Sequence, residues 1–362
     1  MKKLLIIIMT LGLLIIMQSC LGEEINNGLF LVNDLHCLVD LHLHLDGAIS
    51  VQSAKELAKA QGIEIPARIR KIRSEMRVPF GNSDLSGFLE KFDFSNSLLQ
   101  TAKGIRMAVT NLLNELKNQG VMYAEIRFAP QKSMEKGLTQ DEATAAAIEG
   151  LHAADGIDAN LILCCMRGDD NREQNLETVR IAEKYLGKGV VAVDLAGDEA
   201  RYPTRDFEDI FALADKKGIP ITIHAGEADG PDSIRDAIEI GADRIGHGVR
   251  SLEDEELVRE LVEKQIPLEL CPTSNIATGV FDRLTDWPLN ALLDSGMYMT
   301  INTDDPSVEG TTIKTEYNRL IRRFGIGKKE VKLFLQNSVN ASFADDALKQ
   351  KLLKKIDAEI PD

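Results

Sequence analysis

The sequence predicts an α/β fold in which eight parallel strands close into a barrel and the helices form its outer layer. Short apolar runs alternate with amphipathic helical patterns from residue 38 onward, and the apolar runs number eight. Several of them are followed directly by histidine or paired carboxylates. Eight strand-then-helix units with reactive side chains at the strand ends are typical of a (β/α)8 (TIM) barrel. The predicted strands are 38–45, 121–128, 160–166, 190–196, 220–225, 244–249, 267–271 and 297–302.

Helical periodicity follows most of these runs, for example over 139–154, 173–185, 207–217, 233–240 and 254–265. The stretch 62–119 between the first two strands is longer than an ordinary crossover, so extra helices are expected there. Within it, four apolar residues recur at helical spacing. Such a stripe is more often ordinary core, but here it could also cover a pocket beside the first strand. Its members are Leu85, Phe88, Leu89 and Phe92.

Charge and length narrow the class of ligand. The chain has 362 residues and a net charge of −15, which suits one large domain and argues against nucleic acid as the main partner. A small, neutral or cationic substrate is easier to accommodate. Nothing in the sequence indicates an oligomeric state.

The N-terminus is separate from the predicted barrel. Lys2 and Lys3 precede an apolar stretch, residues 4–17, that is shorter than the roughly 20 residues of a spanning helix. Ser19 before Cys20 resembles a bacterial lipoprotein signal, although Met17 stands where leucine is usual. We therefore expect an exported, membrane-anchored protein, attached only through lipid on Cys20. The alternative is a cytoplasmic protein whose N-terminal segment is no functional signal.

The domain prediction follows from these boundaries. Residues 1–20 form the signal segment, 21–37 a tether and approach, 38–350 a single barrel domain with a helical insertion at about 62–119, and 351–362 a C-terminal tail. The other cysteines give neither a disulfide framework nor a metal motif, and buried free thiols are expected. They are Cys37, Cys164, Cys165 and Cys271.

Histidine placement is the strongest chemical signal. The chain has six histidines, and four of them lie at predicted strand ends. His42 and His44 alternate with leucines in one strand, so both imidazoles point to the same face, with Asp46 next on that face. For His36 and His152 we predict no role.

Further candidates end three later strands. His224 is followed three residues on by Glu227, His247 lies between two glycines, and Asp304 and Asp305 form a carboxylate pair. Because active sites of such barrels form at the carboxyl ends of the strands, these side chains should meet.

Their chemistry indicates a metal. Three imidazoles and one carboxylate suit zinc, one ion per chain, with a coordination position left for water. Zinc can lower the pKa of water from about 16 to roughly 7. His247 is then free to act as a base and Glu227 as a proton donor. A structural alternative for Glu227 is pairing with an arginine at the barrel rim. The predicted ligands are His42, His44, His224 and Asp304.

Eight segments, taken together, resemble the adenosine deaminase family of zinc aminohydrolases. They occur in family order from residue 39 onward. The carrying segments are 42–47 (HLHLDG), 88–92 (FLEKF), 164–167 (CCMR), 193–199 (VDLAGDE), 224–227 (HAGE), 246–248 (GHG), 271–274 (CPTS) and 302–306 (NTDDP).

The resemblance implies hydrolytic deamination of adenosine, and of 2′-deoxyadenosine, to inosine and ammonia. It implies that Glu227 protonates N1 of the purine and His247 acts as the base on water. Asp305 would bind N7, the backbone N–H of Gly197 would contact N3, and Asp46 would bind a ribose hydroxyl. His44, besides binding metal, would face the substrate. The stripe at 85–92 matches the helix that covers the family's pocket.

Three alternatives remain at this stage. The same metal site could serve adenine or aminodeoxyfutalosine, although adenine deaminases tend to have glutamate where Asp46 stands. A binuclear amidohydrolase usually needs a bridging lysine on the fourth strand, and 190–199 contains none. A lipoprotein that only binds nucleosides would be expected to have lost a ligand or catalytic group.

Overall fold

The computed structural model describes residues 32–78 and 85–361, and it confirms the predicted barrel. All eight strands are present, with ends within about two residues of the prediction. They are β1 (Leu38–His44), β2 (Val121–Phe128), β3 (Asp158–Met166), β4 (Val190–Ala196), β5 (Thr222–Ala225), β6 (Arg244–His247), β7 (Leu268–Leu270) and β8 (Met299–Ile301).

The strands pair in parallel along β1–β4 and along β5–β8. Two isolated bridges join these halves into a closed barrel, Val193 with Ile221 and Leu43 with Asp304. Every residue of β2 is buried, as expected for a strand with helices outside and a packed interior inside. The second bridge also fixes the position of Asp304, because it holds the residues after β8 beside β1.

Helices cover the outside of the barrel. Thr139 begins one of them with a capping box completed by Glu142, which explains its sharp start. The helices are Leu45–Ala48, Val51–Gln61, Ile69–Met76, Leu85–Leu89, Phe92–Leu98, Ala102–Asn118, Gln140–His152, Arg172–Tyr185, Glu208–Lys216, Pro231–Ile240, Glu255–Lys264, Pro272–Ala277, Leu289–Ser295, Pro306–Glu309, Ile313–Phe324, Lys328–Ala341 and Asp346–Glu359. Single 3-10 turns lie at Pro130–Ser133, Thr204–Phe207 and Val249–Glu253.

Three details differ from the sequence prediction. The apolar stripe does not lie on one helix, because a turn at 90–91 separates Leu85–Leu89 from Phe92–Leu98. Asp46 does not continue the face of β1, because the strand ends at His44 and a short helix begins at Leu45. The predicted tail 351–362 is mostly helical, and burial of Leu352 and Ile356 holds it against the barrel.

The predicted export signal and Cys20 lie outside the described residues. Within the described ranges, no helix is long and apolar enough to cross a membrane. The four cysteines of the barrel are buried and free, as predicted.

Candidate metal centre and active site

Three histidines and one aspartate converge at the carboxyl end of the barrel. Nε2 of His44 lies 3.1 Å from Nε2 of His224. Oδ1 of Asp304 lies 3.3 Å from Nε2 of His42 and 3.4 Å from Nε2 of His44. One ligand atom from each of the four residues falls within 4.8 Å of the others. The residues that the sequence predicted as metal ligands therefore form a single cluster.

The opposite ring nitrogens of two histidines contact buried carboxylates. Nδ1 of His42 lies 2.8 Å from Glu269, and Nδ1 of His224 lies 3.0 Å from Asp194. Arg127 bridges both carboxylates, at 2.7 Å from Glu269 and 3.2 Å from Asp194. Such partners fix the tautomer and ring orientation of metal-binding histidines.

Sequence reasoning missed this supporting layer. The available signal was a charged residue inside each of three apolar strands, β2, β4 and β7. A charge in a strand with two buried faces must be paired, but the sequence alone does not identify the partner.

Protonation states of the cluster suit a metal ion. Burial lowers the pKa of His42, and it lowers the pKa of His44 well below its usual value. Although burial opposes ionisation of Asp304, the neighbouring His42 holds the pKa of this carboxyl well below its usual range. The neutral form of His42 and His44 and the ionised form of Asp304 are thus favoured, and these are the forms that bind metal. Although burial opposes protonation of His224, the neighbouring Asp194 charge raises the pKa of this imidazole. In the part of the chain that the structure describes, the buried Nε2 of His42 has no hydrogen-bond partner, so this atom fits the role of a metal ligand.

The backbone is strained at two site residues. His247 has φ of 60° and Asp304 has φ of 64°, the left-handed region that L-residues rarely adopt. Asp304 is held there by hydrogen bonds with β1, since its N–H donates to the His42 carbonyl at 2.8 Å and its carbonyl accepts from the His44 N–H at 2.9 Å. Barrel closure therefore directs this carboxylate at the histidines.

Glycine is required at two places beside the cluster. A side chain at Gly246 would lie 3.1 Å from the His42 ring. A side chain at Gly47 would overlap the Asp305 carboxylate. Both positions allow the close approach that the site needs.

His247 and Glu227 lie next to the cluster of three histidines and Asp304. Nε2 of His247 lies 3.6 Å from a carboxylate oxygen of Glu227 and 3.6 Å from one of Asp304. Among the described residues this buried nitrogen has no hydrogen-bond partner, so it is available to bind a reacting group. Burial raises the pKa of Glu227. Within the described part of the chain the ion-pair partner of Glu227 is His247, not an arginine at the rim.

The loop that carries Glu227 is held by a carboxylate that sequence reasoning also missed. Oε2 of Glu199 accepts hydrogen bonds from the backbone N–H groups of Glu227, Ala228 and Asp229, at 3.0, 2.8 and 3.0 Å. Its Oε1 accepts from the Gly226 N–H at 2.7 Å. One buried side chain therefore fixes the whole turn after β5.

A cavity of about 250 Å³ opens above this cluster. Asp46, Gly197 and Asp305 line it, so the predicted substrate-binding residues face one space. The short helices of the insertion close one side, where the Phe88 and Phe92 rings pack with centroids 5.8 Å apart. Leu85 lies on the first of these helices. Other predicted residues in the wall are His44, Leu89, His224, Glu227, His247 and Asp304.

Comparison with known proteins identifies the family of this chain. The family model for adenosine deaminase matches residues 37–359. The chain belongs to the adenosine deaminase family. Adenosine deaminase from Haemophilus ducreyi is 43% identical over 332 residues, 90% of this chain and 96% of that protein. Adenosine deaminase from Enterococcus faecalis is 36% identical over 323 residues, with 88% and 95% covered.

Solved structures show the same architecture. Adenine deaminase from Arthrobacter aurescens superposes with a TM-score of 0.81 at 28% identity, covering 89% of this chain and 98% of its own. The N6-methyl-AMP deaminase of Arabidopsis thaliana gives a TM-score of 0.78 at 25% identity, with 91% and 98% covered. These neighbours act on different aminopurines, so the barrel alone does not decide the substrate.

Proposed function

We propose that this protein deaminates adenosine, and 2′-deoxyadenosine, to inosine and ammonia with one zinc ion per chain. The observation that carries the proposal is the convergence of the four predicted ligands with Glu227 and His247 at one pocket. Full-length similarity to curated adenosine deaminases supports the choice of substrate. We further propose a purine nucleoside, and no nucleic acid, as the ligand of this acidic chain.

The four ligands, His42, His44, His224 and Asp304, would hold the metal. A bound zinc would supply Lewis-acid chemistry and would lower the pKa of a water, so that this water can lose a proton and add to C6 near neutral pH. His247, with its free Nε2, is placed to take the proton from that water. Asn275 lies 3.3 Å from the other ring nitrogen of His247 and can orient the ring.

The proton donor is Glu227. Addition at C6 places charge on N1 of the purine, and an acid at that atom eases loss of aromaticity. Burial raises the pKa of Glu227, which favours the protonated form that this step needs. The Thr278 hydroxyl donates to Oε1 of Glu227 at 3.1 Å and restrains the carboxyl.

Purine and ribose contacts follow from the pocket wall. Burial, followed by the Asp304 charge, raises the pKa of Asp305 well above its usual value. The protonated carboxyl can therefore donate a hydrogen bond to N7, which is an acceptor. The Gly197 N–H is proposed to donate to N3. Asp46 is proposed to bind a ribose hydroxyl, which free adenine lacks. The residues proposed to cover the bound nucleoside are Leu85, Phe88, Leu89 and Phe92.

Metal content tests the first half of the proposal. Elemental analysis of the purified chain should give about one zinc, and His224→Ala should lose both zinc and activity. Finding two tightly held metals per chain would favour a binuclear hydrolase instead.

Substrate choice is tested by ammonia release from adenosine, deoxyadenosine, adenine and aminodeoxyfutalosine with zinc-loaded protein. We expect the nucleosides to react fastest. Similarity to the solved adenine deaminase makes another aminopurine the second candidate. A kcat/KM for adenine above that for adenosine would establish this second candidate and reject the first.

We also propose that the protein is exported and anchored as a lipoprotein. The basic start, the apolar stretch too short to span a bilayer, and Ser19 before Cys20 support this location. The catalytic domain would then act on nucleosides outside the cytoplasm. Native protein found in the cytosol with an unmodified N-terminus would reject the location and leave the reaction unaffected.

A further inference from the structure

A basic helix stands out on this acidic chain. The helix Ile69–Met76 and the residues flanking it carry five cationic side chains, and Glu75 is the one carboxylate among residues 68–77. We call this segment the basic helix. Its cations are Arg68, Arg70, Lys71, Arg73 and Arg77.

Over the described ranges 32–78 and 85–361, these cations have no carboxylate partner of the kind that other surface arginines have. Arg172, Arg205 and Arg235 each lie within 3 Å of a carboxylate oxygen on another element. Within the described residues, no carboxylate forms an ion pair with the basic helix. The two arginines at its C-terminal end repel one another, since burial and then the Arg73 charge lower the pKa of Arg77. A concentrated positive charge on a chain of net −15 marks one face for an anionic partner.

The basic helix also carries an apolar residue that is turned to solvent. Ile72 and Met76 are buried against the protein, whereas Ile69 is 50% exposed. Ile69 is one of two large apolar side chains exposed in the described ranges, the other being Leu333 at 44%. A helix with cations around an exposed aliphatic side chain has the composition that binds the surface of an anionic bilayer.

The basic helix lies on the side of the barrel where the described chain begins. Arg73 and Arg77 line a cavity of about 270 Å³ together with Thr312 and Ile313. The next residue, Lys314, donates a hydrogen bond to the Asn33 carbonyl at 2.6 Å. The segment 21–31 between Cys20 and this point reaches at most about 40 Å when extended. A lipid on Cys20 would therefore keep this side of the barrel within about 40 Å of the bilayer.

We propose that the basic helix is a docking surface for anionic phospholipid headgroups. The cations bind lipid phosphates and Ile69 enters the interfacial layer. The rest of the acidic surface is repelled, so the contact orients the enzyme on the membrane. Arg77 also donates to the Ser307 carbonyl at 3.3 Å, which connects the docked helix to the short helix Pro306–Glu309 that follows Asp304 and Asp305. This inference goes beyond the proposed reaction and does not depend on it.

Labels at the two exposed apolar positions test the contact. The full chain carrying Cys20→Ser and either Ile69→Cys or Leu333→Cys is labelled with an environment-sensitive fluorophore. Cys20→Ser removes the thiol that lies outside the barrel, and the barrel cysteines are buried. It is then mixed with vesicles of phosphatidylcholine alone or with 30% phosphatidylglycerol. We expect a severalfold gain in emission at position 69 only, only with phosphatidylglycerol, and reversed by about 0.5 M salt. No gain at position 69, or an equal gain on neutral vesicles, would overturn the proposal.

Matched charge variants separate local from general electrostatics. Replacing Arg68, Arg70, Lys71 and Arg73 by glutamine should weaken the salt-sensitive binding at least about 100-fold, from about fivefold per cation. Replacing four lysines on the helix Asp346–Glu359 removes the same charge and should change binding less than about threefold. If both variants lose vesicle binding to the same extent, net charge alone explains the binding and a local docking surface is rejected. Tighter binding to a short RNA than to the phosphatidylglycerol vesicles, measured from the emission change at position 69, would assign the face to nucleic acid instead. Deaminase activity should stay unchanged throughout, so a failed reaction assay and a failed lipid assay are read separately. The control lysines are Lys349, Lys351, Lys354 and Lys355.

Discussion

Removing the charge of Glu199 should loosen the loop that carries Glu227. The Glu199 carboxylate accepts four backbone N–H groups of residues 226–229 and the Ser233 hydroxyl, which lies 2.6 Å from Oε1. It also attracts the buried Arg167 guanidinium, which donates to the His224 carbonyl at 2.6 Å. The perturbation we consider is Glu199→Gln, which keeps the size of the side chain.

The magnitude follows from these contacts. The glutamine amide nitrogen does least harm at the Oε1 position, because Ser233 can reverse its hydroxyl and accept. The Gly226 N–H then loses its acceptor, at about 1–3 kcal/mol for a buried group. Arg167 also loses the strongest of several negative charges around it, but Asp194 and Asp229 remain, so this loss costs less than the roughly 3–5 kcal/mol of a fully broken buried ion pair. We expect a loss of about 3–5 kcal/mol in the free energy of unfolding and at least a tenfold fall in kcat.

The same carboxylate predicts the acid limit of stability. Although burial opposes ionisation, Arg167 and the hydrogen bonds lower the pKa of Glu199. A depressed carboxyl pKa stabilises the fold above the unfolded value of about 4.3, and this contribution is lost as pH falls through the folded value. The wild type should therefore lose stability below about pH 4, and Glu199→Gln should lose less over the same range.

Urea unfolding and steady-state kinetics at saturating adenosine measure both effects. The matched control is Glu183→Gln, which removes an exposed ion pair with Lys217 and should cost less than about 1 kcal/mol. A Glu199→Gln protein as stable as this control, with unchanged kcat, would refute the positioning argument.

The remaining predictions concern the proposed chemistry and location. Glu227→Gln should lower kcat at least about 10²-fold with normal zinc content by elemental analysis, and an unchanged kcat would leave Glu227 a structural role. Asp46→Ala should cost about 1.5–3 kcal/mol in kcat/KM on adenosine, while its effect on adenine should be small. Asp194→Asn should weaken zinc binding about 10- to 100-fold in a chelator competition, because His224 loses its orienting partner. Cys20→Ala should abolish labelling by radioactive palmitate, and persistent labelling would place the lipid elsewhere.

The sequence predicted two kinds of feature, the secondary structure and the reactive residues at the strand ends, because both depend on local sequence patterns. Strand and helix periodicity depends on neighbouring residues, so all eight strands were predicted within about two residues. The reactive residues were recognisable for a related reason. His42 and His44 share a strand face, and strand ends meet in this type of barrel whatever the details of packing.

Tertiary structure decided what depends on contacts between distant elements. Only the fold shows that Glu269 and Asp194 contact the Nδ1 atoms of His42 and His224, and that Glu199 fixes the turn at Glu227. Only barrel closure, with Asp304 paired to β1 at φ of 64°, fixes the direction of the last ligand. A charged residue within an apolar strand indicates that a partner is needed, because burying an unpaired charge is costly. Which partner it finds is set by geometry that the sequence order does not contain.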